Sequence, residues 1–190
     1  MPRKLPRDPL AGSPLTATDV VERDGGTRHS VAVFSECKKY RYFLCRTWSH
    51  EHPRLSYVML NPSTADAFKN DPTVGRCEER AKQLGYGSFS VTNIFAYRST
   101  QPNALFLPNV IPIGERNDEW IMFAAEAASK IMIGWGNHGK HMNRSENVIA
   151  MLEDLGTELF CLGQNKGGCP IHPLYQAYEK PLRRYVHSVL

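Results

Sequence analysis

A chain of 190 residues suits one domain of ordinary size, and its 42% hydrophobic and 22% charged residues are those of a globular protein in water. No apolar run approaches the roughly 20 residues that span a bilayer. The start, Met1-Pro2-Arg3-Lys4-Leu5-Pro6-Arg7, has no apolar segment long enough for a secretory signal. The expectation is a cytoplasmic monomer with no membrane partner. A formal charge of +4 permits a nucleic-acid partner without demanding one, since phosphate affinity depends on local clustering. The 5 cysteines (Cys37, Cys45, Cys77, Cys161, Cys169) form no C-x-x-C pair, which argues for reduced thiols and against a zinc ribbon.

Residues 1–26, rich in Pro, Gly, Ser and Thr with scattered charge, read as a flexible basic arm, and 27–190 as a single domain. Ser30-Val31-Ala32-Val33-Phe34 and Tyr40-Arg41-Tyr42-Phe43-Leu44-Cys45 flank a polar turn and read as a hairpin. A strand follows at about 55–60 and ends abruptly in Asn61-Pro62-Ser63-Thr64, because proline cannot continue a ladder. Asp71 is placed to cap a helix that has Pro72 as its first residue, runs on through Val74 to Leu84 and stops at Gly85.

A strand over 89–93 closes on Asn93, and 96–116 reads as a long ordered loop that carries function or hides a short helix. Residues 117–129 fit a helix, 131–135 a strand, 143–155 a helix and 158–162 a strand. A last helix is expected after Pro173, carrying Tyr175, Tyr178, Leu182 and Tyr185. Strand–helix alternation of this kind predicts an α/β fold with a central, mainly parallel sheet and helices on both faces, plus the N-terminal hairpin. Right-handed crossovers bring the strand ends to one edge, where ligands of open α/β sheets bind.

Four of these strand ends, taken in order over about 55–180, resemble the uracil-DNA glycosylase superfamily. Asn61-Pro62 is similar to its first motif, Val91-Thr92-Asn93 to its base-reading strand, Gly134-Trp135-Gly136 to its Trp-Gly strand end and His172-Pro173-Leu174 to its closing loop. The chain looks closer still to an uncharacterised bacterial and viral family of unknown function. That likeness rests on Asn-Pro-Ser-Thr-Ala-Asp, Asp-Pro-Thr and the Gly168 to Tyr175 tail.

The glycosylase resemblance implies a three-layer α/β/α fold and a hydrolase that cleaves the N-glycosidic bond of a modified or deaminated pyrimidine in DNA. Asn93 would read the base edge, with Ser63, Phe68 and Tyr97 around the ring. His172 would stabilise the departing base anion, and Asn61 would orient water. Asn61 stands where fast members carry Asp, so Asp66 and Asp71 become surrogate bases, Asp66 joining Asn61 and His172 in the catalytic set. Ser63 stands where strict uracil enzymes carry Tyr, which leaves room for a 5-substituted uracil.

After His172 the family's phosphate-gripping serines are absent, and Leu174 or Tyr175 becomes the candidate wedge in an opened strand. His138, Lys140 and Arg144 form a basic loop at a helix start, suited to phosphate and without a carboxylate or Cys to complete a metal site. No cofactor is expected. The partner is DNA, single-stranded or with a flipped base, or a nucleotide. Two alternatives stand beside the glycosylase: a non-catalytic base- or nucleotide-binding module, and an enzyme acting on a free nucleotide or hypermodified base.

Overall fold

Apolar runs bounded by turn residues build the sheet. The computed structural model describes residues 16–23 and 26–187 and places eight strands in one sheet. They are β1 (Thr16–Arg23), β2 (Gly26–Phe34), β3 (Arg41–Thr47), β4 (Arg54–Met59), β5 (Ser88–Asn93), β6 (Lys130–Gly134), β7 (Leu159–Cys161) and β8 (Arg183–Arg184). Their spatial order is β1-β2-β3-β5-β4-β6-β7-β8. The block β5-β4-β6-β7 is parallel, and the strands outside it pair antiparallel. The expected hairpin is β2 and β3, joined into the same sheet by Leu44 opposite Val91.

Three helices pack on this sheet: α1 (Pro72–Gln83), α2 (Asn117–Glu126) and α3 (Arg144–Glu153). The signals at the start of α1 act as expected. Asp71 accepts a hydrogen bond from Val74 N at 2.8 Å, Pro72 occupies the first turn where its missing N–H is harmless, and Gly85 follows the helix at φ +80°. Strand alternation decides which helix goes where. Leu55, Tyr57 and Met59 of β4 pack with Val74, Cys77 and Ala81 of α1. Val58 and Leu60 pack with Ile121 and Ala125 of α2 and with Val148, Ile149 and Leu152 of α3. Helices therefore cover both faces of the mixed sheet. Among the described residues no helix is long and apolar enough to cross a membrane.

Two expectations are corrected. Thr16–Arg23, read as part of the arm, forms β1 on the edge of the sheet, while 1–15 lie outside the described residues. No long helix follows Pro173. A single 3-10 turn, Pro173–Tyr175, gives way to extended chain and β8. The arginines of α1 explain why. Arg80, 2% exposed, donates to the carbonyls of Gln176, Ala177, Tyr178 and Lys180, and Arg76 donates to Gln176 O. Carbonyls engaged this way have donors without forming a helix, and the two arginines are structural.

A second set of arginines enters from the sheet. Arg28, Arg41 and Arg46 of β2 and β3 are buried beneath α1 and the segment 61–71. Arg41 Nη1 donates to Ala65 O at 3.0 Å, and Arg46 Nη2 donates to Asp66 O and to Asn70 Oδ1. Arg28 pairs with Glu78 of α1 at 3.2 Å, and Asn70 Nδ2 donates to the same carboxylate at 2.6 Å.

Burial works against the charged form of Glu78, but hydrogen bonds from Asn70 and Lys82, with the charges of Lys82 and Arg28, hold its carboxyl below its ordinary 4.5. A depressed carboxyl contributes stability above the unfolded value and loses it as pH falls through the folded one. Glu78→Gln is therefore expected to destabilise the domain by about 3 kcal/mol at neutral pH by leaving Arg28 unpaired. Urea titrations across pH should show the gap between variant and wild type closing below 4.5; a gap constant with pH would count against the pairing.

Candidate functional site

The carboxyl ends of three neighbouring strands lie level. Met59 at the end of β4 is opposite Asn93 of β5 on one side and Gly134 of β6 on the other. The chain leaves β4 toward β5 through α1, and leaves β6 toward β7 through α3 on the opposite face. The winding reverses between β4 and β6, which opens the crevice where ligands of such sheets bind. The segment Ile171-His172-Pro173 enters that crevice. A Cβ on Gly134 would stand 2.9 Å from Ile171 O and 3.2 Å from Pro173 Cδ, so only glycine lets the segment lie against β6.

Around this point the structure assembles Asn93, Arg41, Asp71 and His172. Asn93, 1% exposed, accepts from Arg41 Nη2 at 3.4 Å, while Asn93 Nδ2 and Arg41 Nε are enclosed and have no partner among the described residues. Burial pushes the Arg41 guanidinium down to about 10, opposed by the charge of Asp71. Asp71 is itself fixed by Val74 N and by Ala65 N at 3.4 Å. His172 Nδ1 accepts from Leu174 N at 3.3 Å, which leaves the imidazole proton on Nε2. Burial lowers this histidine below 6.5, and the charge of Asp71 acts in the opposite direction. At neutral pH His172 is thus a neutral donor. Free donors on Arg41, Asn93 and His172 beside one carboxylate suit a ligand whose oxygens gain negative charge.

Asn61 is near this cluster in the fold but directed elsewhere. Its Nδ2 donates to Pro62 O at 3.1 Å and Ser99 O at 2.8 Å, tying the 61–64 turn to the loop after β5. Among the described residues its Oδ1 has no hydrogen-bond partner. Asp66 is spent on a turn, its Oδ1 accepting from Phe68 N and Lys69 N, both at 2.8 Å. Asp71, not Asp66, is the carboxylate beside His172. Phe68 projects into solvent, 56% exposed, and Phe95 belongs to the core.

Ser63 and Tyr97 share one space. They line a cleft of about 300 Å³ with Lys38, Lys39, Arg98 and Ser99. Arg98 holds its wall by donating to Ser63 O and Lys38 O.

The basic loop is divided by burial. His138 and Lys140 are exposed, and the rings of His138 and His141 flank Phe106. Arg144 is buried and committed to Ile94 O and Asp118, so it is withdrawn from any phosphate at the surface. Leu174 is half-buried on the 3-10 turn and Tyr175 is 87% exposed. Among the described residues no three His, Cys, Asp or Glu side chains group as metal ligands. Sequence reasoning missed Arg28, Arg41 and Arg46. Their signal is charge at inward positions of strands that are otherwise apolar.

The His172 environment has a direct test in imidazole nitrogen NMR. The resonance is expected to show the Nε2–H tautomer and to titrate below 6.5, with Asp71→Asn moving the value further down because a charge that favours imidazolium is removed. A histidine titrating above 6.5 would remove the neutral donor.

No curated protein matches the chain. A family profile described as "Protein of unknown function (DUF1643)" matches residues 41–174. The match opens at Arg41 and takes in Asn61, Asp71, Asn93 and His172. More than half of the chain is covered, and the protein belongs to this family of unknown function.

Proposed function

We propose that the protein is a glycosylase-like hydrolase that cleaves the N-glycosidic bond of a modified or deaminated pyrimidine, in a three-layer fold similar to uracil-DNA glycosylases. The observation that carries this reading is His172, half-buried at the winding reversal with its proton on Nε2 and its charge suppressed. In the cleavage the bond from the sugar to the base breaks with both electrons going to the base. His172 Nε2–H and Asn93 Nδ2–H donate to the oxygens on which that charge collects. Asp71, held by two backbone N–H groups, supplies a stationary negative charge toward the oxocarbenium sugar. Water adds to the sugar carbon, guided by the free Oδ1 of Asn61, and its proton passes to solvent.

The cleft beside the Asn61 turn supports a phosphate-bearing substrate, because Lys38, Lys39 and Arg98 stand there among the hydroxyls of Ser63, Thr64 and Ser99. The small side chain of Ser63, where strict uracil enzymes carry Tyr, leaves room for a 5-substituted ring next to the Asn61-Pro62 turn. A second reading is a base-binding module without turnover. It is favoured by Asn93, whose Oδ1 is held by Arg41 and whose side chain is almost fully enclosed.

Abasic-site formation on single-stranded oligonucleotides containing uracil or 5-hydroxymethyluracil separates the two readings. The expected result is excision with preference for the 5-substituted base, reduced about 100-fold or more in His172→Gln with oligonucleotide binding retained. No abasic sites with any substrate, together with binding that His172→Gln weakens, would replace the enzyme by the module.

A further inference from the structure

The start of β3 runs antiparallel beside the end of β5, where Tyr40 pairs with Tyr97 and Arg41 N donates to Ala96 O. This junction lies at the same sheet edge as Asn93. Beside it is a cavity of about 370 Å³ walled by Phe34, Tyr40, Tyr42 and Ile111. The aromatic walls are fixed. The rings of Tyr40 and Tyr42 lie within 6° of parallel, with centroids 6.3 Å apart. Tyr40 Oη donates to Ile111 O at 3.0 Å, and the backbone N–H of Arg116 donates to Tyr42 Oη. Gly114, at φ +84°, lets the loop close on both rings, since a Cβ there would stand 3.0 Å from Tyr40 Cδ1 and 3.1 Å from Tyr42 Cε1. Ile111 is 74% exposed. A rigid aromatic and aliphatic wall in contact with water suits a planar ring.

The polar groups of the cavity supply an independent observation. Glu36 and Glu115 line it, both exposed and without an ion-pair partner among the described residues; Arg116, next in the chain, pairs with Glu119 instead. Burial raises the phenols of Tyr40 and Tyr42, and the nearby charge of Glu115 adds to both. The opposite charge stands one step along the turn. Cys37 and Tyr40 line the cavity, whereas Lys38 and Lys39 between them line the basic cleft with Arg98. Arg98 pins this turn, its N–H on Lys39 O at 2.9 Å and its guanidinium on Lys38 O at 3.0 Å. Carboxylates beside fixed rings therefore adjoin cations among hydroxyls.

From this arrangement we infer that cavity and cleft together bind a guanine nucleotide, its base against the tyrosines and its phosphate among Lys38, Lys39 and Arg98. The phosphate half rests on the phosphate reading of the cleft; cleavage of a glycosidic bond is not required. Carboxylates only accept, so they match the adjacent N1–H and N2–H of guanine. Adenine and cytosine set a ring-nitrogen acceptor beside their amino group, which a carboxylate repels. Uracil and thymine offer one N–H between two carbonyls. A cationic side chain would suit the rings and carboxylates but is opposed by the three cations next to them. A guanine nucleotide occurs free and within an unpaired strand, and one chemistry serves both. In a strand it would be the neighbour of the base taken into the crevice.

Cys37 is a reporter in the wall of the site, exposed while the other cysteines are buried, and its thiol is lowered by the Ser35 hydroxyl and the Lys39 N–H. The test is alkylation of the full chain by iodoacetamide, followed on the Cys37 peptide by mass spectrometry. Guanosine 5′-monophosphate at about ten times its Kd is expected to slow the reaction about tenfold, with AMP, CMP and UMP far weaker. Glu36→Gln with Glu115→Gln, both at exposed positions, should weaken GMP about tenfold or more, each rate being referred to the same variant without ligand. Lys38→Met with Lys39→Met should weaken GMP and leave guanosine unchanged. Protection by guanosine equal to that by GMP would overturn the nucleotide and remove phosphate from the cleft, with base recognition retained. Equal protection by the four nucleotides, or a GMP preference kept in the glutamate variant, would overturn guanine recognition. Protection by an arginine-bearing peptide and none by GMP would replace the nucleotide by a cationic protein segment. A thymidylate oligomer with a single guanine acting at lower concentration than GMP would assign the site to strands, and the reverse order to free nucleotides.

Discussion

Guanidinium groups donating to backbone carbonyls hold this fold together at its functional edge. A loop drawn into the interior brings carbonyls that no sheet or helix satisfies, and each needs a donor. Arginine meets that need with five N–H groups in a rigid fork, where lysine offers one flexible ammonium. Arg41 and Arg46 take the carbonyls of Ala65 and Asp66, Arg98 that of Ser63, Arg144 that of Ile94, and Arg80 those of Gln176, Ala177, Tyr178 and Lys180. The cost is visible in Arg41 and Arg46, both pushed down to about 10 by burial. An irregular segment held this way has one position rather than many.

Helix α1 stands between the two segments so held. Its first turn is capped by Asp71 and its middle grips Asn70 through Glu78, while Arg76 and Arg80 reach the opposite way to 176–180. Asp71 and His172, one hundred residues apart in the chain, are thereby fixed to one rigid element. The Ile171–His172 backbone is fixed a second time by its contact with Gly134 and by Ile171 N donating to Gly163 O at 2.9 Å. A cluster supported on both sides keeps its donor directions without a ligand present, which is what preorganisation requires.

The sequence made the parallel core legible, because each strand is a short apolar run stopped by Asn, Gly or Pro and each helix carries a cap or stop. It also brought Asn93, Gly134 and His172 to one edge, and the register of Met59 agrees. The edges of the sheet were less legible. Strand β1 has a composition of Thr, Asp, Glu and Arg beside a Gly pair, which as text is indistinguishable from a solvated tail. The final helix failed for a different reason. Its aromatic spacing was helical, but Arg80 lies some hundred residues upstream and gives the carbonyls of that stretch their donors. Asp66 and Asp71 looked equivalent in the sequence, and only the turn bonds to Phe68 and Lys69 N–H separate them.

The charge balance of the interior gives the cluster its direction. Arg28, Arg41 and Arg46 are buried against the buried carboxylates of Asp71 and Glu78, and with Arg80 and Arg144 also buried the described residues hold five enclosed cations to two anions. Glu78 is shared among Arg28, Lys82 and Asn70, so the share left for Arg41 comes from Asp71. A helix cap alone would be served as well by Asn or Ser, so the charge on Asp71 answers to its neighbours rather than to α1. An uncompensated buried charge is unfavourable by several kcal/mol or more, and unpartnered donors on Arg41 and Asn93 add to the deficit. Each of these terms is relieved by a ligand that presents electronegative oxygens or accumulates negative charge. In the reaction proposed above, a base leaving as an anion would do both, most fully as the glycosidic bond breaks.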